Sequence, residues 1–199
     1  MGTRDELIDS ARALLWERGY VGTSPKAIQQ RAGVGQGSMY HHFTGKRDLA
    51  LAAVRRNADE LLSGADERLS GPGTAIDRVS AYLRRERDAL KGCPIGGLAQ
   101  DPEVVADPQL RAPVDQALGH LRERITAVLD EGRAAGELPA TLDTAALAAT
   151  VVAVVQGGYV LARAADTTEP FDQAVSGALA LLGHVSGAAV RDSRAGCGP

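Results

Sequence analysis

Hydrophobic residues recur along most of the chain at intervals of three and four, which is the spacing of amphipathic helices. The first helix is expected to begin with a capping box at Thr3 and Glu6 and to end at Gly19. Its inward face carries Leu7, Ile8, Ala11, Leu14 and Leu15. Because the alternating pattern of strands is absent from the sequence, we predict an all-α fold.

Two short helices are predicted directly after the first one. Thr23-Ser24-Pro25 offers a hydroxyl cap and a proline at the first helical position, so a second helix is expected there. Gly33 then turns the chain, and a third helix is expected from Gln36 to Phe43, with Met39 and Phe43 facing inward. This arrangement is typical of the helix-turn-helix motif, whose later helix enters the major groove of DNA.

The remainder of the chain is also predicted to be helical. Periodic hydrophobic segments, separated by glycine and proline, predict helices over 46–69, 74–91, 102–106, 107–135, 143–165 and 170–185, with a further short helix ending near 101. We therefore expect a helix-turn-helix domain at 1–48 and a helical body at 49–187. Residues 188–199 lack a periodic pattern and are expected to form a disordered tail.

The charge distribution favours a DNA-binding head. Between Arg18 and Arg56 the chain has seven basic residues and one acid, Asp48, which gives a net charge of +6. The whole chain carries −3, so the remainder carries −9. Phosphate backbones attract such a basic segment. A solvated basic surface is the alternative interpretation, but here the basic residues coincide with the helix-turn-helix pattern.

The same segment resembles the signature of TetR-type transcriptional regulators. The similar positions are Gly19-Tyr20, Thr23-Ser24, Ile28, Ala32-Gly33-Val34, Gly37-Ser38, Tyr40-His41-His42-Phe43, Lys46 and Leu49. The resemblance implies a homodimer with an N-terminal DNA-binding head and a C-terminal body for ligand binding and dimerisation. The chain departs from the family at Gly35, where Ser or Thr is common, and at Ala27-Ile28-Gln29, where Asp-Ile-Ala is common. These departures concern operator preference rather than DNA binding itself.

The resemblance also implies a small-molecule effector bound by the helices after Pro72. Residues 92–99 are similar to a short motif in a branch of the family that includes regulators of multidrug-efflux genes. An apolar lining favours a hydrophobic or amphipathic effector, while the few aromatic residues of the body do not define its class. We expect a cytoplasmic repressor that this molecule releases from an inverted-repeat, double-stranded operator. No cofactor or metal is expected.

Several residues of the motif are candidates for contact with DNA. They are Thr23, Ser24, Gln36, Gly37, Ser38, Tyr40, His41, His42 and Lys46. The amide of Gln36 suits a bidentate contact with adenine, and Gly37 permits close approach of the backbone. Ser38 suits a base or a phosphate, and Tyr40 suits a thymine methyl or a phosphate. Lys46 begins a helix whose N-terminus, capped by Thr44, favours phosphate.

Structural roles compete with DNA contact at some of these positions. Thr23 and Ser24 are expected to act first as helix caps, with phosphate contact second. For the adjacent histidines His41 and His42, a purely structural role for one of the two stays open as the alternative to DNA contact. No cluster of Cys or acidic residues accompanies the histidines in the sequence, so a metal site is not favoured.

Two other classes of function compete with that of a regulator. An enzyme would need a catalytic constellation, and Cys93 with His120 or His184 could form a thiol–imidazole pair. No glycine loop or orienting acid accompanies that pair at a recognisable spacing. An architectural DNA-binding protein is the second alternative, and it would lack an effector cavity. Two cysteines, Cys93 and Cys197, do not form a disulfide framework.

The segment from Ala145 to Ala162 is unusually apolar and invites a membrane interpretation. Its residues are mostly small, and it includes Thr150, Gln156 and two glycines. A helix that is apolar on nearly all sides more often lies in a core or a subunit interface. Together with 170–185, this helix is expected to form the dimer interface, and no membrane association is expected.

Overall fold

The computed structural model describes the backbone of residues 2–195 and the side chains of residues 2–185. Within that range the chain forms nine α-helices and one short 3-10 helix at Leu98–Gln100, without a strand. The α-helices are α1 Thr3–Arg18, α2 Pro25–Ala32, α3 Gln36–His42, α4 Lys46–Leu69, α5 Ala75–Arg84, α6 Pro102–Ala106, α7 Pro108–Ala134, α8 Thr144–Ala165 and α9 Glu169–Ala195. The predicted all-α fold is therefore confirmed.

The helices are grouped in two compact units, each made of segments that are distant in sequence. The N-terminal unit comprises Met1–Leu62 and Lys91–Leu118, and the C-terminal unit comprises Ser63–Leu90 and Gly119–Pro199. Helices α4 and α7 each begin in the first unit and end in the second. These units group residues by packing, so the functional boundary after residue 48 stays a prediction.

The core of the N-terminal unit is built on α1. The predicted inward face of this helix is buried, and α1 packs against both α2 and α3. Met39 and Phe43 are buried as expected, with 0% and 4% of their surfaces exposed. The capping box at Thr3 is wrong, because Gly2 occupies the N-cap and no side chain caps the helix. Thr3 already lies inside the first turn.

Helix α5 is shorter than its hydrophobic pattern predicts. It was expected to reach residue 91, but it ends at Arg84, and Leu90 is 41% exposed. The guanidinium of Arg87 explains the early end, since it donates hydrogen bonds to the carbonyl oxygens of Tyr82, Leu83 and Arg85. In a longer helix, these carbonyl oxygens would instead accept hydrogen bonds from the backbone amides of the next turn.

The C-terminal unit is built on α8 and α9, which pack against each other, while α5 packs against α9. The ring centroids of Tyr159 and Phe171 lie 4.9 Å apart where α8 meets α9. Helix α9 continues to Ala195, beyond the expected end at residue 185. The expectation of a disordered tail is therefore wrong for residues 188–195, whose backbone is helical, and residues 196–199 lie outside the described part of the chain.

Helix α8 is the one element among the described residues that is long and apolar enough to cross a membrane by length and composition. It has 22 residues and a mean hydropathy of 1.8 over its most apolar window, of which 39% is buried within the protein. Its buried side includes Val151, Val155 and Ala162. A core helix of a soluble protein has the same properties.

Candidate nucleic-acid interface

The turn between α2 and α3 has the geometry that the helix-turn-helix pattern predicts. Gly33 adopts a left-handed conformation with φ of 68°, which glycine tolerates better than any other residue. The Val34 amide donates to the carbonyl oxygen of Gln29 at 3.1 Å and so closes the end of α2. The side-chain amide of Gln29 also lies 3.3 Å from the sulfur of Met39, across the two helices.

Helix α3 presents most of its candidate DNA-binding residues to solvent. Gln36, Gly37, Tyr40, His41 and His42 are exposed, and Ser38 is half-buried. Within the described part of the chain, none of the side chains of Gln36, Tyr40 and His41 forms a hydrogen bond to another residue. One face of α3 is therefore packed through Met39, and another is free for a ligand.

Lys46 lies at the first position of α4, where the sequence predicted a phosphate contact. Its ammonium nitrogen is 3.9 Å from the centroid of the buried Tyr20 ring, which holds the charge by a cation–π contact. Burial raises the pKa of the Tyr20 phenol, so that side chain stays neutral at physiological pH. The Lys46 ammonium is thus positioned by an uncharged aromatic partner.

The capping role assigned to Thr44 is wrong. Its backbone N–H and its hydroxyl both donate to a carboxylate oxygen of Asp48, at 3.0 and 3.4 Å. Among the described residues, no backbone amide of the first turn of α4 donates to this hydroxyl. Because the carboxylate sits at that turn, it offsets part of the positive helix dipole that would attract phosphate.

The expectation that Thr23 lies at the DNA surface is also wrong for its side chain. Thr23 is 2% exposed, and its hydroxyl donates to the carbonyl oxygen of Gly19 at 2.7 Å. Ser24, by contrast, is exposed, and its hydroxyl oxygen accepts from the Ala27 amide at 3.1 Å, as predicted for the cap of α2. Of the two hydroxyls, only that of Ser24 is accessible to a phosphate.

Ion pairing reduces the number of cations that the basic segment offers to DNA. Arg31 pairs with Glu17 at 3.2 Å, and Arg47 pairs with Asp107 at 2.8 Å. Lys26 is exposed in the first turn of α2, and no described carboxylate lies within 4 Å of its ammonium group. Lys26 is one of the seven basic residues of the segment, but it is not among the DNA contacts predicted from the sequence. Its exposure in the structure makes it an additional candidate for contact with DNA.

Asp101 is a positioning residue that the sequence did not identify. It is 8% exposed, and one carboxylate oxygen accepts from the backbone N–H of Val21 at 2.9 Å. The other oxygen accepts from the amides of Glu103 and Val104 and so caps α6. The residue therefore ties the loop between α1 and α2 to a segment 80 positions later. The Asp-Pro pair signals the cap of α6, but no local pattern signals the distant partner.

Replacing Asp101 with alanine is expected to lower the free energy of unfolding by about 2–4 kcal/mol, because a helix cap is lost and the Val21 amide loses its acceptor. Urea denaturation measures the change. The matched control is Asp143→Ala, which removes an exposed cap of α8 with one backbone bond and is expected to cost about 1 kcal/mol. Unchanged hydrogen-exchange protection of the Val21 amide in Asp101→Ala would contradict the role of Asp101 in the loop.

Comparison with known proteins identifies the family. A family model described as "Bacterial regulatory proteins, tetR family" matches residues 7–53, and one described as "Tetracyclin repressor-like, C-terminal domain" matches residues 73–178. The second match alone covers more than half of the chain. The chain belongs to the TetR family of transcriptional regulators. Its matched relatives are regulators rather than enzymes, in agreement with the lack of a catalytic constellation in the sequence.

Individual members of the TetR family resemble the chain over most of its length. The regulator LmrA of Bacillus subtilis is 26% identical over 84% of this chain and 90% of its own. A TetR regulator from Chloroflexus aurantiacus superposes with a TM-score of 0.80, at 29% identity, over 89% of this chain and 92% of its own. The chain spans less of two further relatives, 66% of a Lactococcus lactis regulator and 52% of FasR from Mycolicibacterium smegmatis.

Two of the similar structures contain DNA, both of them cysteine mutants of one regulator. One of them is a cysteine mutant of the TetR-family regulator CifR in complex with a 26-base-pair double-stranded operator. CifR is 26% identical to this chain and superposes with a TM-score of 0.77, over 88% of this chain and 95% of its own.

Among the described residues of the present chain, no group of three or more His, Cys, Asp or Glu side chains is placed to hold a metal ion.

Proposed function

We propose that this TetR-family regulator is a cytoplasmic repressor that binds an inverted-repeat operator as a homodimer. A small hydrophobic or amphipathic molecule, bound by the C-terminal unit, releases it. The observation that supports DNA binding is the solvent-facing side of α3, where the exposed side chains of Gln36 and Tyr40 form no hydrogen bond to any other described residue while Met39 is buried. The operator complex of the similar regulator CifR supports double-stranded DNA as the partner.

The candidate DNA-binding residues form two groups, those that contact base edges and those that contact the phosphates of the DNA backbone. Gln36 is the first residue of α3, and side chains at that end of a recognition helix reach base edges. Tyr40 lies one turn later on the same face, so it extends the contact along the groove. Ser24, Lys26 and Lys46 are suited to phosphates, because they lie at the N-terminal ends of α2 and α4.

The homodimer is proposed to form through α8 and α9. An open groove of about 400 Å³ runs between these helices, and apolar side chains and glycines line it. Leu161 and Leu181, at its edges, are 54% and 69% exposed. Gly157 and Gly177 leave room for another backbone to approach. A symmetry-related copy of the same two helices would bury this surface.

The effector is proposed to act through α4, which begins at Lys46 in the N-terminal unit and ends at Leu69 in the C-terminal unit. A ligand that tilts α4 would change the separation of the two recognition helices in a dimer. Because the half-sites of an operator have a fixed spacing, a shift of a few ångströms would cost contacts at one half-site. The ligand weakens DNA binding only as far as its affinity differs between the two arrangements.

Effector and operator are therefore expected to weaken each other's binding by the same factor, about 5- to 150-fold. The operator is first selected from random duplex DNA with the wild-type protein, and the effector is the strongest releasing compound in a screen. Calorimetry then gives the effector affinity with and without operator. Equal affinity in both states would favour the architectural DNA-binding alternative. Failure to select any preferred DNA would contradict operator recognition itself.

A further inference from the structure

Two arginines directly after the end of α5 form a cationic cluster that neither DNA binding nor dimerisation uses. The guanidinium carbons of Arg85 and Arg87 lie 5.2 and 5.0 Å from the centroid of the Tyr82 ring. That of Arg87 also lies 5.9 Å from the centroid of the Phe171 ring. All four residues belong to the C-terminal unit. Both arginines are only half-exposed, whereas their neighbour Arg84 is exposed.

The hydrogen bonds of this cluster are incomplete. The two terminal nitrogens of Arg87 donate to backbone carbonyls of Tyr82, Leu83 and Arg85 at 2.7–2.8 Å. The Nε atoms of Arg85 and Arg87 are both buried and have no acceptor. Among the described residues, no carboxylate lies within 4 Å of either guanidinium. Burial lowers the pKa of Arg87, and the charge of Arg85 adds to that effect.

Termination of α5 explains only part of this arrangement. It explains the hydrogen bonds of the terminal nitrogens of Arg87. It explains neither the two buried Nε–H groups nor the position of the Arg85 guanidinium. Half-buried like charges without a counter-ion are unfavourable, because such groups lose hydration without gaining a partner. An oxyanion would supply the missing acceptors, since a carboxylate or phosphate group binds the N–H donors of a guanidinium in pairs.

We propose that Arg85 and Arg87 bind the oxyanion head group of the effector, which is therefore an amphipathic molecule with a carboxylate or phosphate ester. The inference rests on the proposed ligand-responsive function and specifies the chemistry of the ligand. The aromatic rings of Tyr82 and Phe171, 1% and 6% exposed, supply the apolar surroundings for the part of the molecule next to the head group.

The position of Arg85 also connects this site to α4. A Cβ atom added to Gly64, a residue of α4, would lie 3.3 Å from a terminal nitrogen of Arg85. The guanidinium therefore lies directly beside the backbone of the helix proposed to transmit the signal. An anion that draws the Arg85 side chain toward itself changes the packing on this side of α4, and so affects the element that also carries Lys46.

The test uses three probes with the same alkyl chain and different head groups: dodecanoate, dodecyl phosphate and dodecanol. Calorimetry and thermal denaturation of the full chain, without DNA and below the micelle concentrations, measure binding. Wild type is expected to bind at least one of the two anions about ten- to hundredfold more tightly than dodecanol, the range that charged hydrogen bonds provide. The preferred anion distinguishes a carboxylate from a phosphate ester.

Arg85→Gln is the decisive variant, because Arg85 makes no hydrogen bond that the substitution would remove from the folded chain. Its melting temperature without probe is expected to equal or exceed that of wild type, while the anion preference is lost. Arg84→Gln, which removes the same charge from an exposed neighbour, is expected to keep the preference. Arg87→Gln is expected to lose the preference and also to melt earlier, since three bonds to carbonyls disappear.

Three results would overturn the anion site: no binding of either anion to wild type, equal binding of dodecanol, or retained preference in Arg85→Gln. Measurements with operator DNA distinguish failure of the anion site from failure of the proposed function. Release of operator DNA by dodecanol and dodecanoate alike would keep the regulator and reject the anion site. Anion-selective binding to a protein that has no preferred DNA would keep the anion site and reject the regulator.

Discussion

Replacing Leu181 with glutamate is expected to convert the protein to monomers at micromolar concentration and to weaken operator binding at least about a thousandfold. The side chain is 69% exposed in the single chain, so the substitution leaves the fold intact. In the proposed dimer it would place two unpaired carboxylates in an apolar interface, at a cost of several kcal/mol each. About 4 kcal/mol already corresponds to a thousandfold change in a binding constant.

Sedimentation velocity and fluorescence anisotropy with labelled operator measure these two effects. The matched control is Ser176→Glu, an exposed position of α9 outside the groove, which is expected to leave both the dimer and DNA binding unchanged. Val152→Glu, at a position that is 7% exposed, is expected to damage the fold instead. A stable wild-type monomer, or a Leu181→Glu dimer with full operator affinity, would contradict the proposed interface.

The sequence predicted the helices best where local signals agreed with packing. Hydrophobic periodicity, Gly33 and the Ser24-Pro25 start were sufficient for α2 and α3, because each of these signals acts within a few residues. The buried stripe of α1 followed in the same way. The predicted end of α5 at residue 91 was wrong because residues 85–91 continue the helical spacing of hydrophobic residues. In the structure, the Arg87 guanidinium donates to carbonyl oxygens that a longer helix would use for its own hydrogen bonds.

The candidate interface was predictable in its exposed residues and less so in its supporting ones. An exposed side chain such as His41 follows from its position opposite Met39 on a short helix. Burial of Thr23 and the bond from the Val21 amide to Asp101 depend on contacts between chain segments, which spacing alone does not encode. The same limit applies to Arg31 and Arg47, which form ion pairs with acidic residues on other helices or loops of the chain.

These ion pairs change how the basic segment is expected to bind DNA. The count of seven basic residues suggests a broad electrostatic contact, but Arg31, Arg47 and Arg56 already have carboxylate partners. Lys26 and Lys46 remain available at the N-terminal ends of two helices. We therefore expect a modest dependence of affinity on salt, set by a few phosphate contacts per protomer, and a correspondingly large share of recognition from α3.

Gln36→Ala is expected to relax the preference at one base pair of each half-site. A bidentate amide–adenine pair contributes about 1–3 kcal/mol of discrimination, and a dimer would lose it twice. Binding to non-specific DNA should change little, because the side chain contacts no phosphate in this assignment. Affinities for the selected operator and for single-base variants provide the measurement. Gln30→Ala, which truncates an exposed glutamine on α2, is the control and should keep the wild-type preference.

Lys46→Ala is expected to have the opposite signature, which is a similar loss of affinity for every sequence. Removing one phosphate contact per protomer should reduce the slope of log affinity against log salt by about one for each lysine, or about two per dimer. Arg55→Ala removes the same charge from an exposed position of α4 and should leave the slope nearly unchanged. If Gln36→Ala weakened all sequences equally, or if Lys46→Ala altered the base preference, the division between base reading by α3 and phosphate contact by α4 would be wrong.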